Sequence, residues 1–315
     1  MSAQHRDRSR AAAIAPFLWL GLFFLFPFLL VLRLSLSDIA LAVPPYAPQL
    51  DLSAGVDGVR EFLAALDFET YGRLGGDRLY LAAYLSSMRI AAISTGILLL
   101  IGYPIAYAMV RCPPAARRAL VLAVILPFWT SFLIRIYAWI AILKPAGLLN
   151  AALGAVGVAP LNLLNAALGA VGLAPLNLLN TEAAVHIGLV YAYLPFMVLP
   201  LYAVLERQPA ELLEAAADLG CTPVQAFWRV TFPMSLPGVA AGALLCFIPM
   251  VGEFVVPDLL GGSQTLMLGK VIWTEFFANR DWPTASAVAV ALIVTLIVPL
   301  TLFQRQQQRL LEGGR

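Results

Sequence analysis

At 315 residues, 61% hydrophobic and only 12% charged, the chain is too apolar for a soluble domain and reads as a polytopic membrane protein. A net charge of +2 gives no reason to expect a nucleic-acid partner, so the placement of the charges carries the information. The three cysteines, Cys112, Cys221 and Cys246, lie far apart without a CxxC pair, which excludes a disulfide framework or a metal site read from spacing. His5 and His186 are isolated in sequence and read as incidental.

Arg6, Arg8 and Arg10 precede an apolar run from Ala11 to Leu32. A basic start before such a run resembles a signal peptide, but 22 apolar residues exceed the core of one, and no small-residue cleavage site follows. Residues 11–34 therefore read as an uncleaved first span behind a cytoplasmic N-terminus, residues 1–10. Residues 35–79 differ in kind. They hold Asp38, Asp51, Asp57, Glu61, Asp67, Glu69 and Asp77 against only Arg60, Arg73 and Arg78, with Pro44, Pro45 and Pro48 among them. An extracytoplasmic loop with short helices is expected there.

The transmembrane core is expected over residues 80–303, with further spans at Tyr80–Val110, Ala119–Leu143, Ala183–Leu205, Leu236–Val256 and Ala285–Phe303. The sum is an all-α fold of six transmembrane helices ending in a cytoplasmic tail, residues 304–315. Charge bookkeeping sets the orientation. With both termini inside, the inner segments collect Arg6, Arg8, Arg10, Arg111, Arg117, Arg118, Arg207, Arg229, Arg305, Arg309 and Arg315. The outer segments collect only Arg60, Arg73, Arg78, Lys144, Lys270 and Arg280. That imbalance, concentrated in short loops, favours this orientation.

Between the third and fourth spans, Leu148 to Asn162 is followed at once by a near-copy, Leu163 to Asn177, in which Val158 becomes Leu173. Each copy is long enough for about four helical turns, but two such helices make no stable solenoid. A tandem duplication tolerated in an outer loop is the expected reading of residues 148–177.

The loop at residues 206–233 is a long polar-bearing stretch between apolar segments. Pro209 sits where a first helical residue belongs, and Glu211 and Glu214 place negative charge near a helix N-terminus. Gly220 suits a left-handed cap, Thr222 with Gln225 suits a capping box, and Pro233 disfavours helix at Phe232. Two short helices hinged at a glycine are expected, a fit surface for a soluble partner. Glu214, Ala215, Ala216, Gly220, Val230, Phe232 and Pro233 also resemble the cytoplasmic EAA loop of permease subunits in binding-protein-dependent ABC importers. That pattern reads Glu-Ala-Ala, three residues, Gly, nine residues, then Ile-x-Leu-Pro. Here Val230 and Phe232 replace one large apolar residue by another.

No catalytic constellation competes with that reading. Gly269-Lys270 looks like the end of a phosphate loop, but Gln264 and Val271 stand where Gly and Ser or Thr are required. A charge in hydrocarbon costs at least about 2.5 kcal/mol, so Arg135 in the third span and Glu253 in the fifth must face the bundle interior, a wet path, or each other. Asp258, just beyond Pro257, is a candidate entrance carboxylate. Trp129, Tyr137 and Trp139 in the third span and Tyr191 and Tyr193 in the fourth add aromatic faces, which with carboxylates suit an alkyl-ammonium cation. Most such aromatics in membrane proteins serve packing. Gly238 and Gly242 form a small-xxx-small face for close helix contact.

Longer stretches narrow the resemblance. LIGYPIAYAM from Leu100, LPFWTSFLIRIYAWIAIL from Leu126, VYAYLPFMVLPLYAVLE from Val190, GEFVVPDLLGG from Gly252 and FFANRDWPTASAVA from Phe276 look like polyamine importer permeases, nearest to those for putrescine. The duplicated segment departs from that family. The resemblance implies a type I ABC importer permease fold with cytoplasmic coupling helices, set in a bacterial inner membrane. It implies a second homologous permease, two ATPase subunits that bind ATP and magnesium, and a periplasmic polyamine-binding protein. Coupling is then carried by Glu214, Ala215, Ala216, Gly220 and Pro233, and this chain is a non-catalytic subunit with no cofactor of its own. Spermidine or another small organic cation is the alternative cargo. An ion-gradient-driven transporter is the rival class, and a purely scaffolding subunit a third reading.

Overall fold

Long apolar runs leave the backbone, in hydrocarbon, only itself for hydrogen bonding, and the chain answers with helices. A computed structural model describes residues 16–49, 55–144, 147–155, 178–262 and 265–312. In order the helices are α1 (Pro16–Ser35), α2 (Gly55–Ala64), α3 (Glu69–Gly76), α4 (Arg78–Arg111), α5 (Pro114–Ile125), α6 (Phe132–Leu143) and α7 (Leu148–Ala155). Then follow α8 (Glu182–Leu205), α9 (Glu211–Asp218), α10 (Pro223–Val251), α11 (Val255–Leu259), α12 (Leu268–Trp273) and α13 (Trp282–Glu312). A two-residue antiparallel hairpin, β1 (Asp38–Ile39) and β2 (Tyr46–Ala47), pairs Asp38 with Ala47 and Ile39 with Tyr46. The expected 1–10 terminus and the whole second copy of the duplication lie outside the described residues; of the first copy, α7 is a helix.

The chain divides into two compact units, Met1–Leu81 with Val271–Thr295 and Ala82–Lys270 with Leu296–Arg315. In the first, α1 is apolar all round and exposes Phe17, Trp19 and Phe24, the surface of a helix built for lipid. Its end is fastened to the loop that follows. The Arg33 guanidinium lies 4.7 Å from the Phe62 ring and 5.5 Å from that of Tyr46, and the Tyr71 hydroxyl donates to Ser35 Oγ at 2.8 Å. Trp282 stacks on Phe276 with ring centroids 5.2 Å apart.

The second unit is built around α8. Met197 is wedged between two glycines: a Cβ at Gly102 of α4 would come within 2.9 Å of its Cγ, and one at Gly242 of α10 within 2.9 Å of its Sδ. Gly238, one turn from Gly242, similarly meets Val204 and the Pro200 carbonyl. The small-residue face legible in the sequence is thus the α8–α10 seam, and absent side chains let the backbones approach. Polar side chains close the same interior, where Tyr103 and Ser235 share a 2.9 Å hydrogen bond and Ser87 Oγ accepts the Leu268 amide at 2.7 Å.

Three expectations change. The third span is not one straight helix. It breaks after the turn Leu126–Trp129, and its two helical pieces meet at 91°. Pro127 starts a tight turn, Thr130 and Ser131 are extended, and α6 begins afresh at Phe132. The fifth span starts thirteen residues before the expected Leu236, at Pro223, and stops at Val251 rather than Val256. Pro233 does not interrupt it, because the turn Phe227–Thr231 is π-helical: the Phe232 amide reaches back five residues to the Phe227 carbonyl, and the ladder shifts register ahead of the proline.

Among the described residues four helices, α1, α4, α8 and α10, are long and apolar enough to cross a membrane, and the α5–α6 bent pair makes a fifth crossing if counted as one. The apolar part described for α13 is shorter, Trp282–Ile297.

Gly269, which in sequence mimics a phosphate loop, has a packing role. A Cβ there would overlap the carbonyl oxygens of Gly252 and Glu253, the backbone of the turn that ends α10. Gly269→Ala is expected to lower stability by about 1–3 kcal/mol, the usual cost of overpacking against atoms that cannot rotate away. A thermal melt of the detergent-purified chain measures this.

Candidate functional site

The loop after α8 folds as a doubly capped hairpin. Its first arm is α9, with Glu211 and Glu214 in the first turn. Pro209 lies two residues ahead of that helix rather than within it. Gly220 adopts φ +81°, the left-handed region a Cβ disfavours. The amide of Cys221 reaches the Ala216 carbonyl at 3.0 Å and that of Gly220 reaches Ala217 at 2.9 Å, which is the Schellman arrangement. Thr222 Oγ1 then accepts the Gln225 amide while Gln225 Oε1 accepts the Thr222 amide at 3.0 Å, a complete capping box. The second arm is not a separate short helix, for it runs on through the π turn into the span.

Ala216 faces inward, and Glu214, Ala215 and Gly220 are exposed. So are Leu212, Leu213, Leu219, Val224 and Trp228, with Leu219 85% exposed. Together they form an exposed apolar patch around the capped turn, the kind of surface that proteins use for docking. Behind it, Phe227 in the π turn packs edge-on against Tyr103 and Tyr107 of α4, with centroids 5.7 and 5.4 Å away. Glu206, just past α8, is held below the usual carboxylate range by the Tyr202 hydroxyl and then by the Arg117 guanidinium.

The intramembrane charges separate rather than pair. Glu253 sits in the turn between α10 and α11, not inside a helix. Its Oε2 accepts the Tyr193 hydroxyl at 2.8 Å, and its Oε1 accepts the amides of Phe254 and Val255 at 3.2 and 3.0 Å. Arg135 is 8% exposed, with its guanidinium 5.3 Å from the Phe128 ring and 5.6 Å from Phe132. Its Nε and Nη1 are buried without a partner, and among the described residues no ion pair joins it to Glu253. Asp258 is engaged by Lys270 at 3.5 Å.

The aromatics divide as well. Tyr193 reaches Glu253, and Tyr191 packs edge-on against Trp139 at 5.5 Å. Trp129 and Tyr137 are 81% and 56% exposed and join neither. A chain of polar groups absent from the sequence reading appears instead between α4 and α8. Ser94 Oγ lies 2.8 Å from His186 Nδ1, His186 Nε2 lies 3.4 Å from Glu182 Oε1, and Arg89 bonds Glu182 Oε2 at 2.5 Å. The Glu182–His186 spacing of one helical turn is the only part visible in one dimension.

The helical membrane core thus anchors a carboxylate where α10 ends and presents an apolar hairpin on the loop after α8. The comparisons give the family. The model described as "Binding-protein-dependent transport system inner membrane component" matches residues 10–312, and the chain belongs to that family. It is therefore a membrane-spanning permease component and not the catalytic subunit. The spermidine/putrescine transport system permease protein PotB of Haemophilus influenzae is 40% identical over 294 residues, covering 93% of this chain and 92% of its own. The PotB of Escherichia coli K12 is 39% identical over 234 residues, 74% of this chain and 80% of its own. Among solved structures, a bacterial alginate ABC transporter in complex with an alginate pentasaccharide-bound periplasmic protein gives a TM-score of 0.65 at 17% identity, covering 97% of this chain and 96% of that one. At that identity the likeness concerns the fold, which is the type I permease fold expected from the sequence.

Removing the Glu253 carboxylate leaves two amides and a tyrosine hydroxyl without an acceptor, each costing about 1–3 kcal/mol when buried. Glu253→Ala is expected to lower the melting temperature of the purified protein clearly. Glu253→Gln, which keeps an acceptor for both amides, is expected to melt near the parent.

Proposed function

We propose that this chain is one of two spanning subunits of an ATP-driven importer of polyamines, with putrescine the first expected cargo and spermidine the second. The observation that carries the reading is the 40% identity, over 93% of the chain, to a relative named for spermidine/putrescine transport. The site chemistry supports it. Tyr193 and Glu253 put an aromatic hydroxyl and a carboxylate together inside the membrane core, where an ammonium group finds Coulomb attraction and a π face nearby. Tyr191 flanks them on the same helix. Asp258, paired with Lys270, and exposed Trp129 and Tyr137 stand further from this role than the sequence suggests.

In this reading both termini are cytoplasmic, a second homologous permease completes the pathway, and a periplasmic protein delivers the cation. Two ATPase subunits receive the hairpin: Ala215 and Ala216 permit close approach, Glu214 and Gly220 set its geometry, and Pro233 lies just past the π turn. Closure of the ATPase pair draws the hairpins together and turns the spans outward, where the cation is released; hydrolysis resets them. Arg135 is a fixed positive charge beside the path, which a dication meets as a barrier rather than a ligand. Alternation of this kind requires cargo and ATP to bind the two states unequally.

Uptake of radiolabelled putrescine, measured in cells lacking this chain and in cells with it restored, tests the cargo. Restored uptake is expected, with unlabelled spermidine competing and alginate-like or amino-acid solutes not competing. Uptake that outlives loss of the ATPase would point to a gradient-driven carrier. Independently, Gly220→Asp is expected to leave a complex that hydrolyses ATP with uptake reduced on the order of tenfold, since a side chain at φ +81° strains the hinge on which the handle turns. Paired assays of phosphate release and uptake measure it.

A further inference from the structure

The hairpin is tied to the spans at two points that carry no motif. Gln208 Nε2 donates to the Thr231 carbonyl at 3.1 Å and closes the stem of the loop across the π turn. The second tie is Arg117, in the first turn of α5. One guanidinium nitrogen meets Glu206 Oε1 at 3.1 Å, directly after the last residue of α8. The other donates to the carbonyl of Val110 at 2.7 Å and lies 3.5 Å from that of Cys112, where α4 ends. The Val110 carbonyl belongs to the last turn of α4, where the helix offers no amide of its own, and Cys112 is the residue just past that end. A single planar fork thus joins the C-terminus of α4, the N-terminus of α5 and the C-terminus of α8, a geometry that a lysine ammonium does not reproduce.

We propose that Arg117 and Glu206 are positioning residues for energy coupling, carrying displacement of the hairpin into the α4–α5 corner so that α8 and that corner move as one body. The proposal rests on the reading of the hairpin as the ATPase's handle. Partly exposed ion pairs add little to stability, so a stabilising role alone does not account for a fork whose two terminal nitrogens are engaged while its Nε is buried without a partner. The position is also the place where a link has leverage. Glu206 stands where α8 ends and the chain leaves for α9, and slack there lets the hairpin move α10 without carrying α8 and the α4–α5 corner along. Other groups face this pair. The Tyr202 hydroxyl bonds Glu206 from α8, and Arg207 adds positive charge beside it.

The test uses the assembled complex of this chain with its partner permease, the ATPase subunits and the binding protein, reconstituted in lipid vesicles with radiolabelled putrescine. Arg117→Gln, Glu206→Gln, the double variant and Arg117→Lys are compared for ATP hydrolysis and uptake on the same preparation. The expected result is hydrolysis near the parent rate with uptake per ATP lowered roughly three- to tenfold in each glutamine variant, an intermediate ratio for lysine, and no further loss in the double, because both changes cut one link. An unchanged ratio, losses of hydrolysis and uptake in parallel, or additive losses in the double overturns the proposal. Gly220→Asp, run alongside, keeps the two ideas apart: a normal ratio there removes the handle itself, whereas uncoupling there with unchanged ratios at Arg117 and Glu206 leaves the handle standing and removes only this link.

Discussion

Every place where a helix of this chain breaks inside its apolar core has to supply its own hydrogen-bond partners, because hydrocarbon supplies none. The carboxylate of Glu253 does this where α10 stops, taking the amides of Phe254 and Val255 and the Tyr193 hydroxyl together. At the corner between α5 and α6 the Thr130 hydroxyl returns to the Pro127 carbonyl at 2.8 Å, and the Arg135 amide finds Ser131 at 3.2 Å. Thr181 accepts the Ala184 amide ahead of α8. These polar side chains sit at the breaks they serve. Their positions follow from backbone bookkeeping before any question of cargo arises.

That constraint separates what the sequence reveals from what it hides. The helical class, the membrane setting, the glycine seam of α8 and α10, and both caps of the hairpin are local or periodic patterns, legible from residues three or four apart. Where Glu253 ends up was not legible, because a helix terminus inside an apolar run has no flanking polarity to announce it. Pro233 misled for a related reason. A proline normally marks a boundary, but a single π turn from Phe227 to Thr231 absorbs the missing donor without ending the helix. His186 looked solitary because two of its three neighbours in the Ser94–His186–Glu182–Arg89 chain come from another helix. Arg117 looked like one basic residue among several in an inner loop, and its three partners lie on segments that only folding brings together.

Arg135 shows the cost of the opposite arrangement. Its guanidinium is buried between two phenylalanine rings with two nitrogens lacking acceptors, and cation–π attraction of about 2 kcal/mol at a desolvated site offsets only part of its desolvation. The carboxylate expected to neutralise it is committed elsewhere, to the amides that close the end of α10. Of the two charges the sequence marks inside the third and fifth spans, Glu253 is anchored by three hydrogen bonds and Arg135 is not. This asymmetry distinguishes a structural anchor from a residue held under electrostatic tension.

The capped hairpin has a thermodynamic consequence for assembly. Both arms are finished by side chains and backbone of the hairpin itself, with the left-handed Gly220 between a Schellman closure and a capping box. A segment that orders only on contact must surrender its conformational entropy at that moment, which lowers affinity for a given area. This one is already shaped before its partner arrives. In the proposed coupling role, such a knob is gripped and released in every cycle without folding and unfolding, and a pull on it arrives at the spans as motion rather than being lost in rearranging a loop.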